Sequence, residues 1–250
     1  MNTPANPSTK IMVWDAPVRV FHWLMVLSFT GAYLTAESER WRLMHVTLGY
    51  TLGGLVAFRI LWGLMGTRYA RFSSFVRGPR AVMTYLRSLF TRPQHHLGHN
   101  PAGAVAIVLL LLSSVAVVYS GWAIYNDVGG EWLAELHEGA GNFMLAVVLV
   151  HVAGVVVASR LHHENLVRAM VTGHKSGNPG DGIARAWRWL AALIVLAVAG
   201  FWWLQWQGAP TVGGGASAST SSQWGPGLTR ERSDKTGTGL RRYDADGDND

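Results

Sequence analysis

Four histidines lie inside stretches otherwise built of apolar residues: His22 in VRVFHWLMVLSFTGAYLTA, His45 in MHVTLGYTLGG, and His137 and His151 in ELHEGAGNFMLAVVLVHVAG. An imidazole within a bilayer is costly unless something satisfies it, so each is a functional candidate by default. Neutral imidazole can ligate a metal or pass protons. His137 and His151 are 14 residues apart, about four helical turns or ~21 Å, so both rings project from nearly one face at two depths. The 250-residue chain has no cysteine, which excludes disulfides, thiolate metal sites, iron–sulfur clusters and covalently attached c-type haem. Any soft ligation falls to histidine.

The elements that position these rings are membrane helices. Hydrophobic residues make up 49% of the chain, charged residues only 14%, and there are 12 Trp, a balance too apolar for an ordinary soluble domain. Apolar runs of the length needed to cross a bilayer fall at about 18–36, 43–65, 102–125, 132–158 and 185–206. The first run resembles a signal peptide in length, but its long n-region includes Asp15 and LTA/E makes a poor cleavage site. The loop between the second and third runs carries Arg68, Arg71, Arg77, Arg80, Arg87 and Arg92 without an acid, and the one after the fourth is again basic. The connection between the third and fourth offers Asp127, Glu131 and Glu135. By the positive-inside rule the N-terminus is cytoplasmic and the tail beyond the fifth span is periplasmic. The net charge of +6 is thus explained by loop placement, and nucleic acid is not an expected partner. Within the first basic loop, FSSFVRGPRAVMTYLRSLF reads either as an amphipathic helix on the anionic inner leaflet or as plain positive-inside charge. The Gly/Ser/Thr-rich tail with its acidic end reads as disordered.

Because the first and second spans run in opposite directions, His22 and His45 sit at opposite membrane faces. The fourth span places His137 level with His45 on the outer side and His151 level with His22 on the inner side. Two imidazoles on facing helices can clamp a planar macrocycle through its iron, so the economical ligand is one b haem for each pair. Zinc fits worse, since it takes about four ligands, and neither HEGAG nor HENLV is an H-E-x-x-H site. Gly49 and Gly141 follow His45 and His137 by four residues and share their faces. Bare backbone there gives a porphyrin room, while Gly49-x-x-x-Gly53 also suits close helix packing. Arg59, 14 residues beyond His45, points to the inner level, where its guanidinium can meet a haem propionate or snorkel to headgroups. The other histidines fall in or beside cytoplasmic loops. Asn100-Pro101 reads as a helix N-cap followed by N1 proline, and His99 beside it is within reach of a propionate or a quinone.

In chain order, VWDAPVRVFHW, HVTLGY, FRILWGLMGTRYARF, GHNPAGA, LHEGAGNFML with HVAG, and NLVRAMVTGHK resemble the bacterial cytochrome b561 family, which includes b-type cytochrome subunits of nickel–iron hydrogenases. The resemblance covers about 11–176. It implies an all-α integral membrane bundle with a four-helix dihaem core, its ligands falling on His22, His45, His137 and His151. It also implies electron relay between quinones and redox partners such as a hydrogenase or a c-type cytochrome, in the bacterial inner membrane. One similar branch oxidises superoxide and reduces quinone. The expected organisation is therefore a dihaem domain over 1–176, an additional transmembrane helix within 177–207 and a polar tail over 208–250. The fifth span departs from the plain core, and its terminal tryptophans suit an aromatic belt.

Three functions compete. A dihaem electron-transfer subunit predicts two haems per chain. A superoxide oxidase favours a cationic outer funnel, which the acidic outer loop does not supply. A metal or proton transporter needs a polar path at mid-depth, where only Ser113, Ser114 and Asn142 stand out. Weak candidates for a quinone contact are Arg59, His99 and Tyr50.

Overall fold

A computed structural model describes residues 9–88 and 97–208. The polar tail from 209 onwards, with His95 and His96, lies outside the described residues. The fold is all-α in its bulk: α1 (Ala16–Thr35), α2 (Arg42–Met65), the short α3 (Phe72–Phe75) and α4 (Pro79–Ser88), α5 (Pro101–Tyr125), α6 (Trp132–Leu161), α7 (Leu166–Thr172) and α8 (Arg188–Gln207). Four of these, α2, α5, α6 and α8, are long and apolar enough to cross a membrane. Each of the five runs read from the sequence coincides with a helix to within three residues at either end. α1 has the length of α8, but Arg19 and His22 dilute its apolar character.

Helices α1, α2, α5 and α6 form a bundle in which neighbours in sequence pack side by side. Phe29 of α1, Leu52 of α2 and Met144 of α6 are buried together at its centre, with Leu110 and Val118 of α5 against them. This apolar plug separates the two histidine levels. The fifth long helix, α8, closes one flank by lying along α1, and Trp202 donates its indole N–H to Thr51 Oγ1 of α2 at 2.9 Å.

At one end of the bundle the chain makes a two-stranded antiparallel ribbon, β1 (Thr9–Met12) with β2 (His174–Gly177), pairing Thr9 with Gly177 and Met12 with His174. Gly173 precedes it with φ +84°, and a Cβ there would lie 2.7 Å from the Trp14 carbonyl oxygen. Glycine permits both the left-handed turn and the close approach. Its own carbonyl accepts from the Val13 and Trp14 amides at 2.8 and 3.1 Å. The ribbon ties the start of α1 to the segment following α6, so these two ends share one face of the bundle.

That same end is organised by Asp15, which is fully buried. It caps α1 by accepting from the Val18 amide at 2.8 Å. Its second oxygen accepts from Trp62 Nε1 at 3.1 Å and from the Thr67 hydroxyl. One carboxylate thus pins the beginning of α1 to the end of α2 and satisfies the buried Trp62 donor and the half-buried Thr67 hydroxyl. The basic loop does not form one amphipathic helix. It breaks before Gly78-Pro79 into α3 and α4, and α4 packs on α5 while burying Tyr85.

Candidate functional site

The bundle brings the four histidines together in two pairs. His45 on α2 and His137 on α6 face each other with ring centroids 6.0 Å apart and planes at 71°. His45 Nδ1 lies 2.8 Å from the Ala32 carbonyl oxygen of α1. His137 Nδ1 lies 3.0 Å from the Val117 carbonyl oxygen and 3.1 Å from Ser120 Oγ, both on α5. A carbonyl only accepts, so in both rings Nδ1 carries the proton and donates it, leaving Nε2 with its lone pair. That is the tautomer a metal requires, oriented by hydrogen bonds from behind.

The spacing can be tested against an iron held between the rings. Two metal–nitrogen bonds of about 2 Å each, added to the size of the rings, place the centroids about 6 Å apart, as found. Among the described residues no group of three His, Asp or Glu side chains could hold a metal ion. The donor set is therefore two imidazoles, which suits a metal whose other positions a macrocycle fills.

Space for a macrocycle is supplied by glycine. Cβ atoms placed at Gly49 and Gly141 would meet nothing within 4 Å, whereas one at Gly53 would lie 2.9 Å from Val118 Cγ1. The two readings of Gly49-x-x-x-Gly53 thus separate by position: Gly53 packs α2 on α5 and Gly49 borders open space beside His45. Gly121, which the sequence did not single out, admits the other ring, since its Cβ would lie 2.8 Å from His137 Cε1.

His22 on α1 and His151 on α6 form the second level, within electrostatic range of each other. Gly154, one turn from His151, borders open space. His22 Nδ1 is buried and has no hydrogen-bond partner among the described residues. Arg59 belongs to this level and is 3% exposed. It donates to the Ala70 carbonyl at 3.0 Å and lies over the Phe72 ring at 4.8 Å and near Phe75 at 6.0 Å. Its guanidinium is held by the protein and does not snorkel. Lys175 is likewise buried and pairs with Glu164 at 3.0 Å.

His99 also stands here, although its flanking sequence reads as a loop. Its ring lies between Trp14 and Phe75 at centroid distances of 4.5 and 4.6 Å. Burial, together with the positive charges of Arg59 and Lys175 and its nearness to His151 and His22, pushes its pKa down to about 3 and keeps it neutral. Tyr50 lies elsewhere, half-exposed on α2 with its ring 6.3 Å from that of Tyr125. Of the remaining described loop histidines, His163 and His174 are exposed at the surface.

Comparison with known proteins identifies the family. The family model for prokaryotic cytochrome b561 matches residues 13–173. A probable Ni/Fe-hydrogenase B-type cytochrome subunit of Rhodobacter capsulatus is 24% identical over 215 residues, covering 67% of this chain and 82% of the relative. Its counterpart in Cupriavidus necator is 26% identical over 210 residues, covering 66% and 86%. The probable Ni/Fe-hydrogenase 1 B-type cytochrome subunit of Escherichia coli K12 is 29% identical over a shorter stretch of 141 residues, covering 46% and 60%. No solved structure shows a significant match.

Proposed function

Since the chain belongs to the prokaryotic cytochrome b561 family and is a membrane b-type cytochrome of electron transfer, we propose that it carries two b haems, one at each histidine level. His45 and His137 ligate one, and His22 and His151 ligate the other. The single observation that carries this reading is the 6.0 Å pair with both Nδ1 atoms committed to acceptors, because each ring then keeps its Nε2 lone pair for a metal. Haem held by these two histidine pairs would supply reversible one-electron storage. The residues of the chain hold the rings in place, keep water out with the Phe29, Leu52 and Met144 plug, and set the field around each level. Arg59 compensates a propionate of the haem at the His22/His151 level.

The two imidazoles of α6 stand about 21 Å apart along the helix axis, so the levels form a relay across the bilayer. The positive-inside rule, applied to the basic loops, favours a cytoplasmic His22/His151 level and N-terminus and a periplasmic tail from 208. Residues 1–176 make the relay domain and 177–207 an added span that shields α1. The partners are a quinone in the lipid phase and a redox protein. Several relatives carry names of hydrogenase subunits, which makes a hydrogenase the first partner to test, ahead of a c-type cytochrome.

A pyridine haemochrome assay on the detergent-solubilised full chain, with a reduced-minus-oxidised spectrum alongside, tests this reading. About two b haems per chain are expected. One haem would leave a histidine pair without a role, and none would overturn the assignment.

A further inference from the structure

We propose that His99 and Arg59 together form a carboxylate-binding site at the His22/His151 level, which holds the propionate side chains of the haem seated there. The inference rests on the dihaem reading and extends it to a residue that takes no part in ligation.

Phe75 links the two groups physically: one side of its surroundings is the His99 ring, at 4.6 Å between centroids, and another is the Arg59 guanidinium, 6.0 Å from its centroid. Trp14 covers His99 from the other side at 4.5 Å. The imidazole is thereby held in an aromatic slot. Its Nδ1 is sealed from solvent and has no hydrogen-bond partner among the described residues, although buried polar atoms of folded proteins are nearly always paired. Arg59 spends one nitrogen on the Ala70 carbonyl, and a guanidinium has five N–H donors in all. Arg59 therefore keeps N–H donors for a further acceptor. Asp15 is the acid whose charge reaches Arg59 and offsets part of it, while its own oxygens accept from Val18, Trp62 and Thr67.

What such a place takes is an anion with several acceptor oxygens. A buried cation is retained at low cost only when an opposite charge and good hydrogen bonds accompany it, and a pair of carboxylates supplies both. Position argues the same way. Arg59 stands six residues before the end of α2, and His99 stands two residues before α5 begins. Both thus lie towards the end of the bundle that the β1–β2 ribbon closes. A haem held by His22 and His151 would bring its carboxylates to this level. A neutral imidazole is suited to donate one N–H to a carboxylate oxygen without adding a further buried charge.

The test is a redox titration of the purified full chain, read optically, on wild type, His99→Ala, His99→Gln and Arg59→Gln. A propionate that loses a donor keeps more of its negative charge, which favours ferric iron and lowers the midpoint potential. In His99→Ala one of two midpoints is expected to fall while the other stays. His99→Gln, which keeps an N–H donor, is expected to recover most of the shift. Arg59→Gln is expected to lower the same midpoint further, and the double variant to shift it by less than the sum of the two. Unmoved midpoints in His99→Ala, or equal shifts of both, would overturn the proposal. So would slowed reduction by a quinol analogue with both midpoints intact, which would assign His99 to a quinone carbonyl. If the wild type itself carries fewer than two haems, the dihaem reading fails first and separately.

Discussion

The two histidine levels are built on different plans. At the His45/His137 level the protein fixes each ring directly, through Nδ1–H donated to the backbone of a neighbouring helix. At the His22/His151 level His22 Nδ1 has no such tether, and the surroundings carry the organisation: Asp15 pins two helix ends, and Arg59 and Lys175 are buried nearby. One level is ordered by backbone acceptors behind the rings, the other by a charged frame around them. On the dihaem proposal this difference has an electronic consequence. An imidazole that donates from Nδ1 to a carbonyl becomes a stronger ligand and favours ferric iron, lowering the potential. A buried guanidinium opposes the extra positive charge of the ferric state and raises it. Both effects make the His22/His151 level the better electron acceptor.

Removing a ligand breaks the comparison most severely. His45→Ala and His22→Ala are each expected to reduce haem content from about two to about one per chain, and the surviving midpoint identifies the level that remains. The higher midpoint should survive in His45→Ala and the lower in His22→Ala. The reverse order would refute the electronic argument while leaving the relay intact. Next in size is a change of space with no change of ligand. Gly49→Leu places a side chain in the open region beside His45 and should abolish the haem at that level with little loss of helical structure by circular dichroism. Gly53→Leu meets Val118 and should instead destabilise the α2–α5 contact, as overpacking does, by about 1–3 kcal/mol or more.

The charged frame can be loosened separately. Asp15→Ala removes the cap of α1 and leaves the Trp62 and Thr67 donors unpaired. From the usual worth of a cap and of buried unsatisfied donors, a loss of about 2–4 kcal/mol is expected. It should appear as a lower thermal midpoint in detergent, with the His22/His151 haem released before the other. Equal release from both levels would mean that Asp15 stabilises the bundle as a whole and not this end of it.

Much of this architecture is legible in the chain because the bilayer restricts what a helix can carry. Long apolar runs locate the five long helices, and Asn100-Pro101 locates the start of α5, where Asn100 Oδ1 does accept from the Gly103 amide at 2.7 Å. The pairing of His45 with His137 follows from helix direction. What local patterns leave out is contact between distant segments. The β1–β2 ribbon joins residues 168 positions apart, and its four-residue strands have no alternation long enough to read. His99 sits among polar neighbours, so its burial by Trp14 and Phe75 is invisible until the fold brings them together. Gly49 and Gly53 look equivalent as a motif, and only the position of α5 tells the packing glycine from the open one. Gly121 and Ser120 lack even a motif, since their importance depends on the single ring of His137 that lies against them.

The smallest perturbation addresses that ring. Ser120 is fully buried; its hydroxyl donates to the Ala116 carbonyl at 2.7 Å, which leaves its oxygen free to share the His137 Nδ1 proton with the Val117 carbonyl. Ser120→Ala deletes one of two acceptors without removing the tether. The imidazole then donates less electron density to its metal, so the midpoint at the His45/His137 level should rise. A typical hydrogen bond is worth ~1 kcal/mol net, and only the part that differs between oxidation states enters the potential, so the rise should be a few tens of millivolts at most. The other midpoint should not move, because the apolar plug stands between the levels. Ser120→Thr keeps the hydroxyl and should leave both midpoints at their wild-type values. A fall at this level would show that the backbone acceptor takes the proton more strongly once the serine is gone, reversing the sign assigned to Ser120 while leaving the role of Val117 in place.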